Sequence, residues 1–388
     1  MSDFIKKRYK KETRFQWYGK LALLFSFLFL IFLLGNIFYE GYSAFYQTKI
    51  FLSVEKSEKN TRAVLRKALK KEFPNVSKRS DLKELHTLIS TYAHTRYKYD
   101  EKGVWVIASD DLDMYFKGKV AKENTKLSPK QLAWVEKLKK QDKIGVKFNT
   151  TFFAKADSRE PEMAGVLGSV VGSIFTILAC LAISFPLGVM SAIYLEEFAK
   201  KNKFTAFIEV NINNLAAVPS IIYGLLGLAL YINIMELPRS APIVGGLTLA
   251  MMVLPIIIIS TRTALEAVPN SIRDGARALG ASELQVVIHH VLPLSIPGIM
   301  TGTILSVARA LGETAPLLII GMVAFIVDVP MSFTDPATAI PVQIYIWTDS
   351  PETAFVEKTS AAIMVFLAFL ISINALAIFI RSKFEKKW

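Results

Sequence analysis

The chain has a single cysteine, Cys180, set in an apolar run. An intrachain disulfide and a cysteine-based metal centre are therefore excluded, and cysteine use says nothing about redox compartment. Only four histidines are present, and the neighbours His289 and His290 are not at a metal-ligand spacing. No G-x-x-x-x-G-K loop occurs. Without that phosphate-cradling backbone the chain is expected to have no ATPase site, and no catalytic residue is assigned. A small-residue cleavage site is also missing after the first apolar run, where GNIFYEGYSAFY follows. Although Lys6, Lys7, Arg8, Lys10, Lys11 and Arg14 precede that run, it reads as a retained span rather than a secretory leader.

What the chain has in quantity is apolar surface together with positive charge. Over 388 residues it is 52% hydrophobic, with mean hydropathy +0.37 and a net charge of +13. This pairing suits a membrane protein with basic flanks. A spanning helix needs about 20 mostly apolar residues. Stretches of that kind run approximately over 21–38, 166–195, 207–234, 243–259, 296–327 and 361–380. The expected fold class is thus mainly α, a polytopic membrane protein of about six transmembrane helices. Basic residues crowd the N-terminal tail, the EEFAKKNK turn, the loop from Ser260 to Ser295 and the terminal RSKFEKKW. Six spans put these four segments on one side, which the positive-inside rule makes cytoplasmic, with both termini.

Residues 1–20 are then a cytoplasmic basic tail, 21–45 the first transmembrane helix, 46–163 an extracytoplasmic domain and 164–388 a five-helix core. The outer segment is rich in lysine, which is tolerated because long loops escape the charge rule. Its patterns predict a small α+β domain. SDLKELHTLISTY places Leu82, Leu85, Leu88, Ile89 and Tyr92 on one helical face. SPKQLAWVEKL opens with Ser128 as cap, Pro129 at the first helical position and Gln131 closing a capping box. GVWVIAS and KIGVKFN read as strands.

Between the fourth and fifth spans, the cytoplasmic loop 263–295 contains EAVPNSIRDGARALGASELQVVIHHVLPLSIPG. Ser271 with Asp274, and Ser282 with Gln285, have capping-box spacing. Gly280 stands where a helix would stop, and Pro293 is expected to end the second helix. Two short capped helices with a small-residue surface follow from this. The segment resembles the cytoplasmic motif of permease subunits in bacterial ABC importers: Glu-Ala-Ala, three residues, Gly, nine residues, Ile, one residue, Leu-Pro. Here Asp274, Gly275 and Ala276, then Gly280, then His290, Leu292 and Pro293 stand at those positions. Asp274, Gly275 and His290 depart from the pattern. The resemblance implies that this loop couples the chain to an ATP-hydrolysing subunit.

In the fifth span Gly302, Ser306, Arg309 and Glu313 fall at i, i+4, i+7 and i+11, one face of a continuous helix. A charge at the bilayer centre costs roughly 2.5–3.5 kcal/mol, whereas an exposed Arg-to-Glu pair on a helix returns only about 0.2–0.5 kcal/mol. Packing of neighbouring helices is one explanation of such charges; a substrate pathway is the other, with Ser306, Arg309 and Glu313 along it. The Arg309 fork of donors matches an oxyanion. Glu313 would accept a hydrogen bond from phosphate, which keeps a P–OH near neutral pH, and would repel fully ionised sulfate.

The wording around the pair, RALGETAPLLIIG, with VPSIIYGLLGLAL and GSIFTILACLAISFPLGVMSAIYLEEFA earlier, is similar to the PstA family of phosphate-importer permeases from Gly165 onward. That resemblance implies an ABC permease core working with a PstC-like second permease, a PstB-like ATPase dimer and an extracytoplasmic phosphate-binding protein. ATP and Mg would act in the ATPase, this chain binding no cofactor. Membrane lipid is an expected partner and nucleic acid is not. The expected location is the bacterial inner membrane. A membrane sensor with an outer ligand domain, or a permease for another oxyanion, are the alternatives.

Overall fold

A computed structural model describes residues 3–54, 62–95, 97–100 and 103–384. Of the basic C-terminal segment, residues 385–388 lie outside the described residues. Helix α1 (Asp3–Gly41) comprises 39 residues. At about 1.5 Å per residue it is nearly twice as long as a bilayer core is thick, so its basic start continues as helix beyond the span. None of its most apolar stretch is buried. Its far end does meet the bundle, where Gly41 lies against the backbone of Ser360 and Ala361.

The chain then builds a small α+β unit from β1 (Tyr46–Leu52), α2 (Arg62–Glu72), α3 (Arg79–His86), β2 (Tyr97–Asp100), β3 (Gly103–Ile107), α4 (Asp110–Phe116), α5 (Pro129–Lys140), β4 (Ile144–Phe148) and α6 (Thr150–Ala154). The sheet order is β2-β3-β1-β4, all antiparallel. Ile50, Leu52, Val104 and Val106 pack with Leu65, Leu69, Leu85, Leu112, Val135 and Leu138 in one core. At the start of α5 the Ser128–Gln131 capping box forms in both directions, with Pro129 just inside. The helical face expected through Tyr92 is cut short. α3 stops at His86, Ser90 donates its N–H to the Ile107 carbonyl and Ser109 to the Leu88 carbonyl. Ile89 is bridged to Ala108, and Tyr92 is exposed. Hydrogen bonds to the end of β3 replace those of another helical turn.

The remainder is helical. It comprises α7 (Leu167–Ile193), extended by a π-turn to Phe198, α8 (Lys203–Ala216), α9 (Ser220–Gly227), continued as a π-helix to Ile234, α10 (Pro242–Glu266), α11 (Asn270–Ala278) and α12 (Glu283–Val286). After a π-turn over Val287–Val291 come α13 (Leu292–Gly312), α14 (Ala315–Ile319), α15 (Ile340–Thr348) and α16 (Ala354–Phe384). Among the described residues five helices are long and apolar enough to cross a membrane, and α8 with α9 make a sixth candidate bent by 99°. The third span expected over 207–234 is therefore a broken one rather than a single helix. Pro219 is the cause: it has no N–H to give and holds its predecessor out of the helical region.

Contacts fix the direction of the broken pair. Glu196 and Glu197, at the end of α7, bond to Arg262, near the end of α10, and Arg273, just past it. Helices α7 and α10 therefore finish at the same end of the bundle. The segment between them must cross to the other end and begin again. Six crossings result, and α1 begins at the end of the bundle where α16 finishes. The core runs between α7 and α10, where Ile177 and Cys180 meet Leu249, Met252, Val253 and Ile257.

Three local expectations in the loop after the fourth span and in the fifth span fail. Helix α11 begins at Asn270 after Pro269 and has no side-chain cap, so the Ser271–Asp274 capping box does not form. Pro293 does not end a helix; its missing N–H falls just after the π-turn over Val287–Val291, and the helix runs on through it. Glu283–Gly312 is one 30-residue rod. The fifth span also stops at Gly312 instead of running on to Val327, and Glu313 is extended at φ −77°, ψ 127°. Pro316 in the first turn of α14 makes the break lasting.

Candidate functional site

Two groups of residues are candidates for function. The first is the loop between α10 and α13. Gly280 has φ +85°, a left-handed conformation open to glycine at little cost, and it turns the chain between α11 and α12. Ser282 and Gln285 cap α12 reciprocally at 2.8 and 3.4 Å. Beneath the bend, Ala276 is buried with Leu265, Val268, Val286 and Val291. The other motif positions face outward. The Asp274 side chain is exposed and paired with Arg277 at 3.1 Å. Gly275 and Gly280 have no atom near where a Cβ would stand. Pro293 belongs to the rod rather than the loop. Leu279, at 91% exposure, with Leu284 and Ile288, is bare apolar surface around the bend.

This loop is bolted to the bundle by a residue that sequence reasoning passed over. The Arg273 guanidinium donates to both carboxylate oxygens of Glu197, at 2.7 and 3.2 Å, to the Leu265 carbonyl at 2.9 Å and to the Val268 carbonyl at 2.5 Å. Both side chains are over nine-tenths buried. Beside them Arg262 bonds Glu196 at 3.1 Å and Glu209 of α8 at 3.0 Å. The ends of α7, α8 and α10 are thereby tied to one another and to α11. A signal was present: two adjacent glutamates closing an apolar run require partners at the same membrane surface.

The second group surrounds the end of α13. Gly302 and Ser306 turn toward α10. A Cβ on Gly302 would stand 2.1 Å from the Ser260 hydroxyl oxygen, so the two helices touch there. Ser306 is buried and donates to the Gly302 carbonyl at 2.9 Å. Arg309 and Glu313 lie elsewhere: the Arg309 side chain is 45% exposed and its Nε stands 3.7 Å from the nearer Glu313 oxygen. The four residues therefore do not form one stripe, because the helix ends before Glu313. At 3.7 Å the pair is an ionic contact and not a hydrogen bond. The two terminal nitrogens of Arg309 make no hydrogen bond to a described residue.

Tyr223 of α9 donates its hydroxyl to the Leu215 carbonyl at 2.7 Å across the break between α8 and α9. Gly224 packs on Pro316 of α14. The broken third span, the broken fifth span and the charged pair thus meet at one place. Among the described residues no group of three or more His, Cys, Asp or Glu could hold a metal ion.

Residues 184–388 match the family described as binding-protein-dependent transport system inner membrane component. Residues 2–126 match a domain of unknown function, DUF3333. The phosphate transport system permease protein PstA of Haemophilus influenzae is 32% identical over 235 residues, 61% of this chain and 81% of that protein. The protein of the same name from Pasteurella multocida is 30% identical, over 58% of this chain and 78% of its own length. That from Yersinia pestis is 32% identical, over 58% and 73%.

Proposed function

Because this chain belongs to the family of binding-protein-dependent transport system inner membrane components, we propose that it is the PstA-type permease subunit of an ATP-driven importer that carries inorganic phosphate across the inner membrane. The carrying observation is the Arg309 fork, half-exposed and not tied down by Glu313, placed where two spanning helices are broken. A guanidinium left open in this way retains donors for an oxyanion, and broken spanning helices are a recurrent setting for substrate sites in transporters. Ser306, buried and already bonded, serves better as packing of α13 on α10. The pathway reading therefore narrows to Arg309 and Glu313. Glu313 would select for an anion that still has a proton to donate.

In this reading a PstC-like permease completes the pathway against the exposed Arg309 face, and an extracytoplasmic binding protein delivers phosphate. A PstB-like ATPase dimer, where ATP and Mg act, receives the loop bearing Asp274, Gly275, Gly280 and Leu279. The chain supplies no ATPase site of its own. Its termini and this loop share the basic side, which is cytoplasmic by the positive-inside rule. Docking at the loop would push on α11, and the Arg273–Glu197 bond would pass the displacement to α7 and α10. The bent pair and α13 pack on these helices, so the break around Arg309 would open and close with them.

The test is ATP-dependent uptake of labelled phosphate by cells that rely on this chain, with unlabelled sulfate as competitor. Phosphate uptake that a tenfold excess of sulfate does not reduce supports the assignment. Equal handling of the two anions would contradict the role given to Glu313.

A further inference from the structure

Residues at the base of the α+β unit form an aromatic patch that the permease reading leaves unused. Pairing of β1 with β4 sets Ile50 opposite Ile144, Thr48 opposite Val146 and Tyr46 opposite Phe148. Side chains two apart share a sheet face, so these six belong to one surface. At its upper end Ile50 and Ile144 lie in the core of the unit. Farther down, the same surface emerges bare: Val146 is 45% exposed, Tyr46 48% and Phe148 55%. Phe153 of α6, itself exposed, extends the patch. Its ring lies parallel to that of Phe148 with centroids 5.6 Å apart, and the Tyr46 ring meets Phe148 edge-on at 6.4 Å.

The height of this patch is fixed by hydrogen bonds. Tyr46 begins five residues beyond the end of spanning helix α1. Helix α6 is bonded to the start of spanning helix α7, since Val166 donates to the Phe152 carbonyl at 2.8 Å and Leu167 to the Lys155 carbonyl at 2.9 Å. The patch is therefore level with the points where two spans meet the membrane surface. Exposed Lys155 lies beside it on the α6 side, while Lys147 is on the other face of β4, over the Trp105 ring. Exposed rings with a lysine beside them, continuous with spanning helices, have the chemistry of the bilayer boundary, where rings sit among headgroups and amines meet lipid phosphates.

We infer that Tyr46, Val146, Phe148 and Phe153 dock the appended unit into the headgroup and upper acyl region of the leaflet on its own side. The unit then stands against the lipid instead of projecting free on its two connections, and α1, unburied along its apolar stretch, is held at its outer end by both protein and lipid.

The test is depth measurement by spin label in the assembled transporter, reconstituted in phospholipid nanodiscs. Nitroxides are placed at Phe148→Cys and Phe153→Cys in a Cys180→Ala chain. Phe27→Cys in α1 is the lipid reference and Lys130→Cys the aqueous one. Docking predicts that the ratio of relaxation by dissolved oxygen to that by a water-soluble nickel chelate is severalfold higher at 148 and 153 than at 130, approaching the value at 27. A ratio equal to that at 130 overturns the inference in favour of an aqueous surface. An immobile label reached by neither relaxant overturns it in favour of a covering protein. Val146→Cys reads the same surface without losing a ring, should either aromatic be needed for folding.

Discussion

Arg273 of α11 grips Glu197 at the end of α7 with hydrogen bonds of 2.7 and 3.2 Å, across 76 residues of sequence. The pair is desolvated, and two backbone carbonyls complete the guanidinium's bonding. Removing one partner of such a pair leaves an uncompensated charge and costs about 3–5 kcal/mol. The loop at one end of the bundle and the helices that cross it are consequently one mechanical unit.

Glu197→Gln should leave the carboxylate's shape in place and remove its charge. Uptake is expected to fall at least tenfold while the ATPase subunit still co-purifies, because the docking surface is untouched. Exchange of the two residues, Glu197→Arg with Arg273→Glu, should restore part of the loss. No rescue and no loss in the single variant would each count against transmission through this bond.

Leu279→Asp should weaken recovery of the ATPase with the chain while leaving membrane abundance unchanged. The side chain is 91% exposed, so nothing inside the fold depends on it. Co-purification at the wild-type level would remove the exposed apolar bend from the docking surface.

Gly302→Ala should force α13 away from α10, since its Cβ would meet the Ser260 side chain at 2.1–2.3 Å. Overpacking of this kind costs about 1–3 kcal/mol, and a lowered melting temperature of the purified complex would report it. Ser260→Gly in the same chain removes the clashing atoms and should recover most of the loss.

Glu162, outside the spans, is held by burial at a pKa of about 7, well above the usual carboxylate range; the Ser90 hydrogen bond opposes the rise and nearby Asp110 and Glu160 add to it. An acid whose folded pKa is raised binds more protons in the folded state, so stability is lost as pH climbs from the unfolded pKa near 4.5 to about 7 and changes little above. Glu162→Gln is expected to raise thermal stability more at pH 8 than at pH 5. An equal gain at both would show that the group is ionised in the fold throughout.

Much of this architecture can be read from local pattern. Apolar runs of sufficient length mark α1, α7, α10 and α16, and the boxes at Ser128 and Ser282 need only residues three apart. Strand β1 was hidden because Tyr46–Leu52 follows directly on the first span and gives no polar gap to announce it. The end of α13 was hidden differently. Gly312 and Pro316 are both breakers, yet the apolar residues after them continue the hydropathy signal of a span. Reading that signal as one helix put Glu313 on a face with Gly302 and Ser306. The paired glutamates at 196 and 197 signal that partners are needed, but Arg273 could not be picked out as one of them, because it lies 76 residues away and only the parallel course of α7 and α10 brings it there.

The account rests most heavily on Arg309. Phosphate uptake by cells relying on this chain should be compared with uptake by Arg309→Gln at matched membrane abundance and with the ATPase still bound. A collapse of uptake in an assembled transporter is the predicted result. Uptake that survives the substitution would contradict the central claim and return Arg309 and Glu313 to helix packing.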